Sequence, residues 1–192
     1  MVQRAGASMT IPGPLLSDRL IVRPFHEGDR AGFVRFMTTP EATRFLTFTD
    51  EQKTESGAEE MLNWVIDSDS TENPVVALCI ADKETDEFVG SCGLSTLENG
   101  TEIECYYSLL PEFWKKGFAQ EAMNLLIQHA FQEMAAPTIV AFVHPENSPA
   151  QILAARVGLL RTGVILHPEH GQDCIRYALK SPFGKETNNT IT

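Results

Sequence analysis

The sequence predicts a single α+β domain, with a mixed, mostly antiparallel sheet of about seven strands flanked by helices. Three observations predict it. Strand patterns joined by tight turn signals fill the middle of the chain, helical apolar spacing lies on both sides of them, and two more strand patterns close the chain. Residues 1–14 are rich in Gly, Pro and small side chains and read as a loose tail. Leu20-Ile21-Val22-Arg23-Pro24 is a first strand closed by proline. Asp29 stands where it can cap a helix carrying Phe33, Phe36 and Met37 on one face. Pro40 restarts a helix at its first position. A third helix spans residues 51–66, with Met61, Leu62, Val65 and Ile66 apolar.

The pattern then changes period. Residues 74–81 and 87–94 are strands joined by the polar turn 82–86, and Asn99-Gly100 is a strong turn signal before a strand at 101–110. These three form an antiparallel meander, which Pro111 ends. Residues 117–134 are helical, with Ala122, Leu125, Leu126, His129 and Ala130 along one stripe. A strand at 137–143, a short helix at 147–157 closed by Gly158, and strands at 160–166 and 174–179 complete the domain. The domain is expected over residues 15–182, with a polar tail at 183–192.

Composition narrows the function. Of 192 residues, 43% are hydrophobic and 21% charged, an ordinary globular balance. The longest apolar runs fall well short of the roughly 20 residues that cross a bilayer, and the N-terminus has no apolar core of signal-peptide length. No membrane contact is expected, and the location is read as cytoplasmic. The net charge of −11 disfavours nucleic acid, which needs a basic face, and suits a cationic acceptor. Cys79, Cys92, Cys105 and Cys174 form no CxxC pair and sit in apolar, strand-like stretches, so they read as buried thiols, and no metal site is expected. Sheet edges leave room for a homodimer.

The segment that carries chemistry runs from Tyr107 to Ala122, where a strand passes through a basic loop into a helix. The amides of Lys116, Gly117, Phe118, Ala119 and Gln120 converge at the helix start, and with the helix dipole they make an anion site. Gly117 admits a phosphate without a Cβ clash, Ala119 keeps the next turn small, and Lys115 and Lys116 add charge. The plainer alternative is a helix that opens on a glycine and two solvated lysines. Neither a P-loop nor a dinucleotide fingerprint is present.

In order and spacing this stretch resembles the pyrophosphate motif of the GCN5-related N-acetyltransferases (GNAT), Gln/Arg-x-x-Gly-x-Gly/Ala. Trp114, Gly117 and Ala119 fall on its first, fourth and sixth positions. Trp at the first position is similar to the RimJ/RimL-like branch, although Lys115 stands where that branch usually has Gly. The resemblance covers nearly the whole chain: residues 17–24 look like the branch's opening strand, 104–114 its Glu-to-Trp segment, and Asn147, Ala150, Arg156, Gly158 and Leu159 its later helix.

The resemblance implies a GNAT fold and acetyl-CoA as co-substrate. The amides of 116–120 would then hold the pyrophosphate, and Lys115 or Lys116 would reach the 3′-phosphate. The strand ending at Leu109 and Leu110 would bulge, splay from the facing strand 139–143 and pair with the pantetheine arm. An amide near Leu109 would serve the oxyanion, and Asn147 would bond the arm or merely cap its helix. Where many relatives carry a Tyr acid, this chain has Ala154, and where the branch often has Ser it has Ala150. Glu104 aligns with the branch's glutamate and is the first candidate base. Glu102 is the second, since residues two apart share a strand face; either carboxylate could instead face solvent. His144 is a third candidate, or a loop histidine. Phe45, Phe48 and Trp64 either line an acceptor cleft or pack in the core. The expected activity is transfer of an acetyl group to a primary amine, on a protein N-terminus or on a small molecule. The alternative is a non-catalytic acyl-CoA-binding or sensor module.

Overall fold

A computed structural model describes residues 12–68, 76–97 and 99–183. The chain enters the sheet through β1 (Leu15–Leu16) and β2 (Leu20–Pro24), then forms α1 (Arg30–Thr38), α2 (Pro40–Thr43) and α3 (Glu55–Ser68). The meander follows as β3 (Val76–Asp82), β4 (Phe88–Thr96) and β5 (Glu102–Leu109). After it come α4 (Phe118–Gln132), β6 (Thr138–Val143), α5 (Ser148–Arg156), β7 (Leu160–Leu166) and β8 (Asp173–Lys180). The strands make one sheet in the order β1-β2-β3-β4-β5-β6-β8-β7. All neighbours are antiparallel except β5 and β6. The sheet has eight strands because the two-residue β1 joins the seven legible in the sequence.

Alternation along the strands builds two cores, one on each face of the sheet. Leu78 and Ile80 of β3 turn toward α4, and pack with Leu20, Val22, Cys92 and Cys105 against Leu126 and Ala130. Ala77, Cys79 and Ala81 turn the other way, toward Phe33, Phe36 and Met37 of α1 and Leu62 of α3. All four cysteines are buried and unpaired. The apolar face of α4 is rotated from the expected stripe: Met123, Ile127 and Phe131 are buried, while Leu125 and His129 are only half-buried. The buried set follows the i, i+1, i+4, i+5 spacing that a broad apolar face requires.

Two helix starts differ from expectation. The third helix begins at Glu55, not at residue 51, because the Thr54 hydroxyl caps it by accepting the Gly57 amide at 3.1 Å. The preceding turn lies so close that a Cβ on Gly57 would stand 2.1 Å from the Glu51 carbonyl oxygen. Asp29 does not cap α1. Its carboxylate takes both terminal nitrogens of Arg23, at 2.7 and 2.9 Å, and the His26 amide at 3.0 Å. Burial works to raise the Asp29 carboxyl, but the Arg23 hydrogen bonds, the His26 amide and the nearby charge outweigh it and hold the group below the ordinary carboxylate range. This buried pair, joined by Asp86 at 2.8 Å, fixes α1 to the start of the sheet. The expected start of β3 at residues 74–75 and almost all of the C-terminal tail lie outside the described residues, as do residues 1–11 of the N-terminal tail. No helix among the described residues is long and apolar enough to cross a membrane.

Candidate functional site

β5 and β6 pair over three positions only, ending at Glu104↔Val140, after which both strands continue without each other. The strands therefore open like a V, with Glu104 at its vertex. The bulge expected in β5 is absent, since its ladder with β4 runs unbroken from Thr96↔Ile103 to Gly90↔Leu109. Backbone direction follows from that register. The Leu97 amide bonds the Glu102 carbonyl and the Leu110 amide bonds the Val89 carbonyl, so the even-numbered residues of this stretch point their backbone groups at β4. The amides of Tyr107 and Leu109 point the other way, into the opening.

A cleft of about 750 Å³ fills the V. Its base is the start of α4. Gly117 is the N-cap with φ +84°, and Lys115 takes φ +60°. Two left-handed residues turn the chain sharply, so that the amides of residues 118–120, which have no intrahelical partner, face outward together. Lys115 adopts the conformation a glycine takes at no cost, which gives the physical reason why Gly is usual at its position. Arg19, which sequence reasoning did not assign to the site, braces the loop. Its guanidinium donates to the Lys116 carbonyl at 3.0 Å and to Glu121 at 2.5 Å, and it lies 4.5 Å from the centre of the Phe118 ring. Glu121 also accepts from Ser17 at 2.5 Å, so the β1–β2 turn is tied to the first turn of α4.

The expected site residues separate into groups. Leu109, Lys115, Gly117, Phe118, Ala119, Gln120 and Asn147 line the cleft. Leu110 does not: its side chain is buried in the core under α1 and its amide is spent on Val89. Lys116 sits on the loop, but its ammonium lies over the Phe113 ring at 5.5 Å and outside the cleft lining. Asn147 caps α5 by accepting the Ala150 amide at 3.2 Å, which leaves the side-chain N–H groups as donors. The Leu109 carbonyl accepts the Trp114 indole N–H at 2.8 Å, closing the loop from strand to helix. Ala150, Ala154, Arg156 and Leu159 all line the cleft.

The two carboxylates part company. Glu102 is bound by Arg176 of β8 and by Asn99 at 3.2 Å, and it does not reach the cleft. Its arginine partner holds it as an ion pair, so it is not a free base. Glu104 lines the cleft with 16% of its side chain exposed, and its Oε1 lies 3.4 Å from Nε2 of His167. His167 Nδ1 accepts the amides of Glu169 and His170 at 3.2 and 3.3 Å. With Nδ1 an acceptor, the ring proton lies on Nε2, pointing at Glu104. Burial raises the Glu104 carboxyl above its ordinary value, and the hydrogen bond from His167 partly restrains the rise.

His167 was missed by the sequence reading, as was His170, which stacks on it at 4.4 Å and meets Thr47 at 3.3 Å. The signal available was two of the five histidines in a single turn, the one joining β7 to β8. His144 lines the cleft, but its Nδ1 takes the Glu146 amide at 3.2 Å, a loop-forming role. Phe45 also lines the cleft and meets the His144 ring at 5.2 Å, while Arg44 beside it reaches Glu146 at 3.5 Å. The segment after α2 thus bridges the cleft mouth to the segment before α5. Phe48 and Trp64 line a separate cavity.

Residues 19–160 match the family model described as acetyltransferase (GNAT) domain. A protein of Bacillus licheniformis described as an uncharacterized N-acetyltransferase, p20, is 32% identical over 153 residues, covering 79% of this chain and 84% of the relative. The crystal structure of a GNAT-family acetyltransferase from Bacillus anthracis superposes with a TM-score of 0.73 at 20% identity, covering 88% of this chain and 99% of that one. Mycobacterium smegmatis RimJ, solved in complex with CoA-disulfide, gives a TM-score of 0.69 at 19% identity, covering 91% and 88%. At these identities the two structures establish the shared fold.

Proposed function

The chain belongs to the GNAT acetyltransferase family and is an acetyltransferase, and from that premise we propose that it moves an acetyl group from acetyl-CoA to a primary amine bound on the α1–α3 side of β5. The observation that carries this reading is the opening of β5 from β6 directly in front of the α4 N-terminus, with a single carboxylate at its vertex. The residues fit the co-substrate. The unpaired amides of 118–120 beside Gly117 suit a pyrophosphate, and Lys115 and Arg156 lie in the same lining to meet further phosphate charge. The amides of Tyr107 and Leu109, which face the gap, suit an extended amide-bearing arm, and Asn147 offers side-chain donors from the opposite wall.

Bound acetyl-CoA supplies an activated thioester carbonyl that accepts a nitrogen lone pair and releases a thiol. The chain supplies the rest. An alkyl ammonium is protonated at neutral pH and has no lone pair to give, so its proton must leave first. Glu104 takes that proton, directly or through one water. Its raised carboxyl is a stronger base than an exposed glutamate. His167, donating from Nε2, orients the carboxylate and partly offsets the rise that burial imposes on it. The Leu109 amide is placed to bond the acyl oxygen as negative charge builds on it. Ala154 offers no hydroxyl, so the proton that the nitrogen sheds as the amide forms is the one that passes to the departing thiolate, directly or through water.

Titrating acetyl-CoA while following thermal unfolding tests the co-substrate. At 100 times the dissociation constant, binding adds about 2.7 kcal/mol, or roughly 5–11 °C for a domain of this size. A saturable rise supports the reading. Its absence, confirmed by calorimetry at high ligand concentration, removes it.

A further inference from the structure

A second cavity, of about 140 Å³, lies beneath α1 and α3 on the face of β5 that carries Glu104. Its walls are largely aromatic: Phe25, Phe33, Phe36, Phe48 and Trp64, with Met61 beside them. The polar groups that reach it are already matched. Ser108 Oγ donates to the Ala42 carbonyl at 2.6 Å, and the Tyr106 phenol is hydrogen-bonded with Ser91. No charged side chain lines it among the described residues. Such a wall rewards an apolar occupant and penalises a polar one. Apolar cavities of about 150 Å³ take up a benzene ring, so the volume here matches one ring or one branched alkyl group.

The cavity is not isolated from the chemistry. Leu46, Tyr106 and Ser108 line both it and the large cleft. Glu104, Tyr106 and Ser108 alternate along one face of β5, so Tyr106 stands about 7 Å along the strand from the vertex carboxylate. An amine nitrogen at Glu104 and an apolar group against Tyr106 are therefore a few bonds apart.

Resting on the acyl-transfer reading above, we infer that this cavity receives the apolar side group of the acceptor. The acceptor is then a primary amine with a ring-sized aryl or branched alkyl group within a few bonds of its nitrogen. A free aralkylamine and the N-terminal residue of a peptide both carry that chemistry. The excess acidity of the protein does not by itself select polyamines, because among the described residues no carboxylate lines this cavity to hold a second cation.

The test is a panel of acceptors with the purified full chain and saturating acetyl-CoA, scored as kcat/KM from thiol release. The panel holds ethanolamine, spermidine, isoamylamine and phenethylamine, with peptides that begin in Ser or Phe. Phenethylamine over ethanolamine, or the Phe peptide over the Ser peptide, is expected to exceed about tenfold. Preference within the peptides alone assigns the group to an N-terminal residue, and preference within the free amines alone assigns it to a small molecule; either supports the cavity. Met61→Trp, which fills the cavity from a partly exposed position, should cut the preference by about tenfold, and Phe48→Ala should move it toward a naphthyl amine. Ratios within twofold in both pairs overturn the inference. So does an unchanged ratio in a Met61→Trp protein that still gains stability from acetyl-CoA. If acetyl-CoA stabilises the protein but no amine in the panel is turned over, the acyl-transfer reading falls first and this inference with it.

Discussion

The two sides of the cleft are built by different means. On the α4 side, the proposed recognition comes from backbone: a left-handed turn at Lys115 and Gly117, three outward amides, and strand amides left unpaired where β5 leaves β6. On the α1–α3 side it comes from side chains far apart in sequence, with Glu104 of β5 meeting His167 of the β7–β8 turn, and His170 of that turn meeting Thr47 after α2. A constant ligand such as a phosphate ester can be held by backbone geometry that a short motif encodes. An acceptor that differs among relatives needs side chains, and these the fold assembles from separate segments.

Substitutions can break this division or sharpen it. The largest effect expected is at the vertex. Glu104→Gln should lower kcat/KM by about 10²–10⁴-fold while acetyl-CoA affinity, read by calorimetry, stays within a few-fold. Glu102→Gln, two residues away on the same face, should leave kcat nearly unchanged, because that carboxylate is held by Arg176 away from the cleft. Equal losses in the two variants would mean that the carboxylates act together and that the structural distinction between them is wrong.

Next is the anchor of the α1 side. Asp29→Ala should cost about 1.5–3 kcal/mol in denaturant unfolding, because the Arg23 guanidinium loses its buried partner and keeps only the exposed Asp86 carboxylate. The sign with pH follows from the lowered Asp29 carboxyl. Its stabilisation is complete above the unfolded-state value, and is lost as pH falls through the lower folded-state value. The gap between wild type and variant should therefore narrow in acid, and a gap that widens would contradict the pairing.

On the α4 side, Gly117→Glu sets an L-residue at φ +84° and a negative charge beside the anion site. The expectation is at least about a 100-fold loss of acetyl-CoA affinity by calorimetry. Retained affinity in a folded variant would remove this loop from the phosphate site.

The smallest effect tests His167 as a positioning residue. His167→Phe removes the donor that restrains the raised Glu104 carboxyl, so that carboxyl rises further. The acid limb of the kcat/KM profile should move to higher pH, with about a tenfold loss at neutral pH. His167→Gln, which keeps a donor, should recover part of both. A limb that stays in place in the Phe variant would leave His167 a merely structural role.

Most of the element order was legible in the sequence, because strand alternation, helical spacing and turn residues are local signals. The β3–β4–β5 meander, the α4 and α5 helices and the final hairpin all follow from them. Helix starts were less legible, since Thr54 competes with the Glu51 segment for the first turn of α3 and Asp29 is drawn from its capping role by Arg23. Within the site, the loop from Trp114 to Gln120 could be read as a motif because its proposed role rests on its own backbone.

What the sequence determined by itself was therefore the set of elements, the acidic balance, and a glycine-bearing helix start that is a candidate anion site. The tertiary structure decided which of the two candidate carboxylates faces the cleft, the one already ranked first, since only the packed sheet brings Arg176 to Glu102 and His167 to Glu104. It also decided that Leu110 turns from the cleft, and that Phe48 and Trp64 line a separate cavity. The two carboxylates depend on contacts between segments more than 60 residues apart, and the rest on strand register and on packing between elements. Local patterns carry no record of such contacts until the chain has folded.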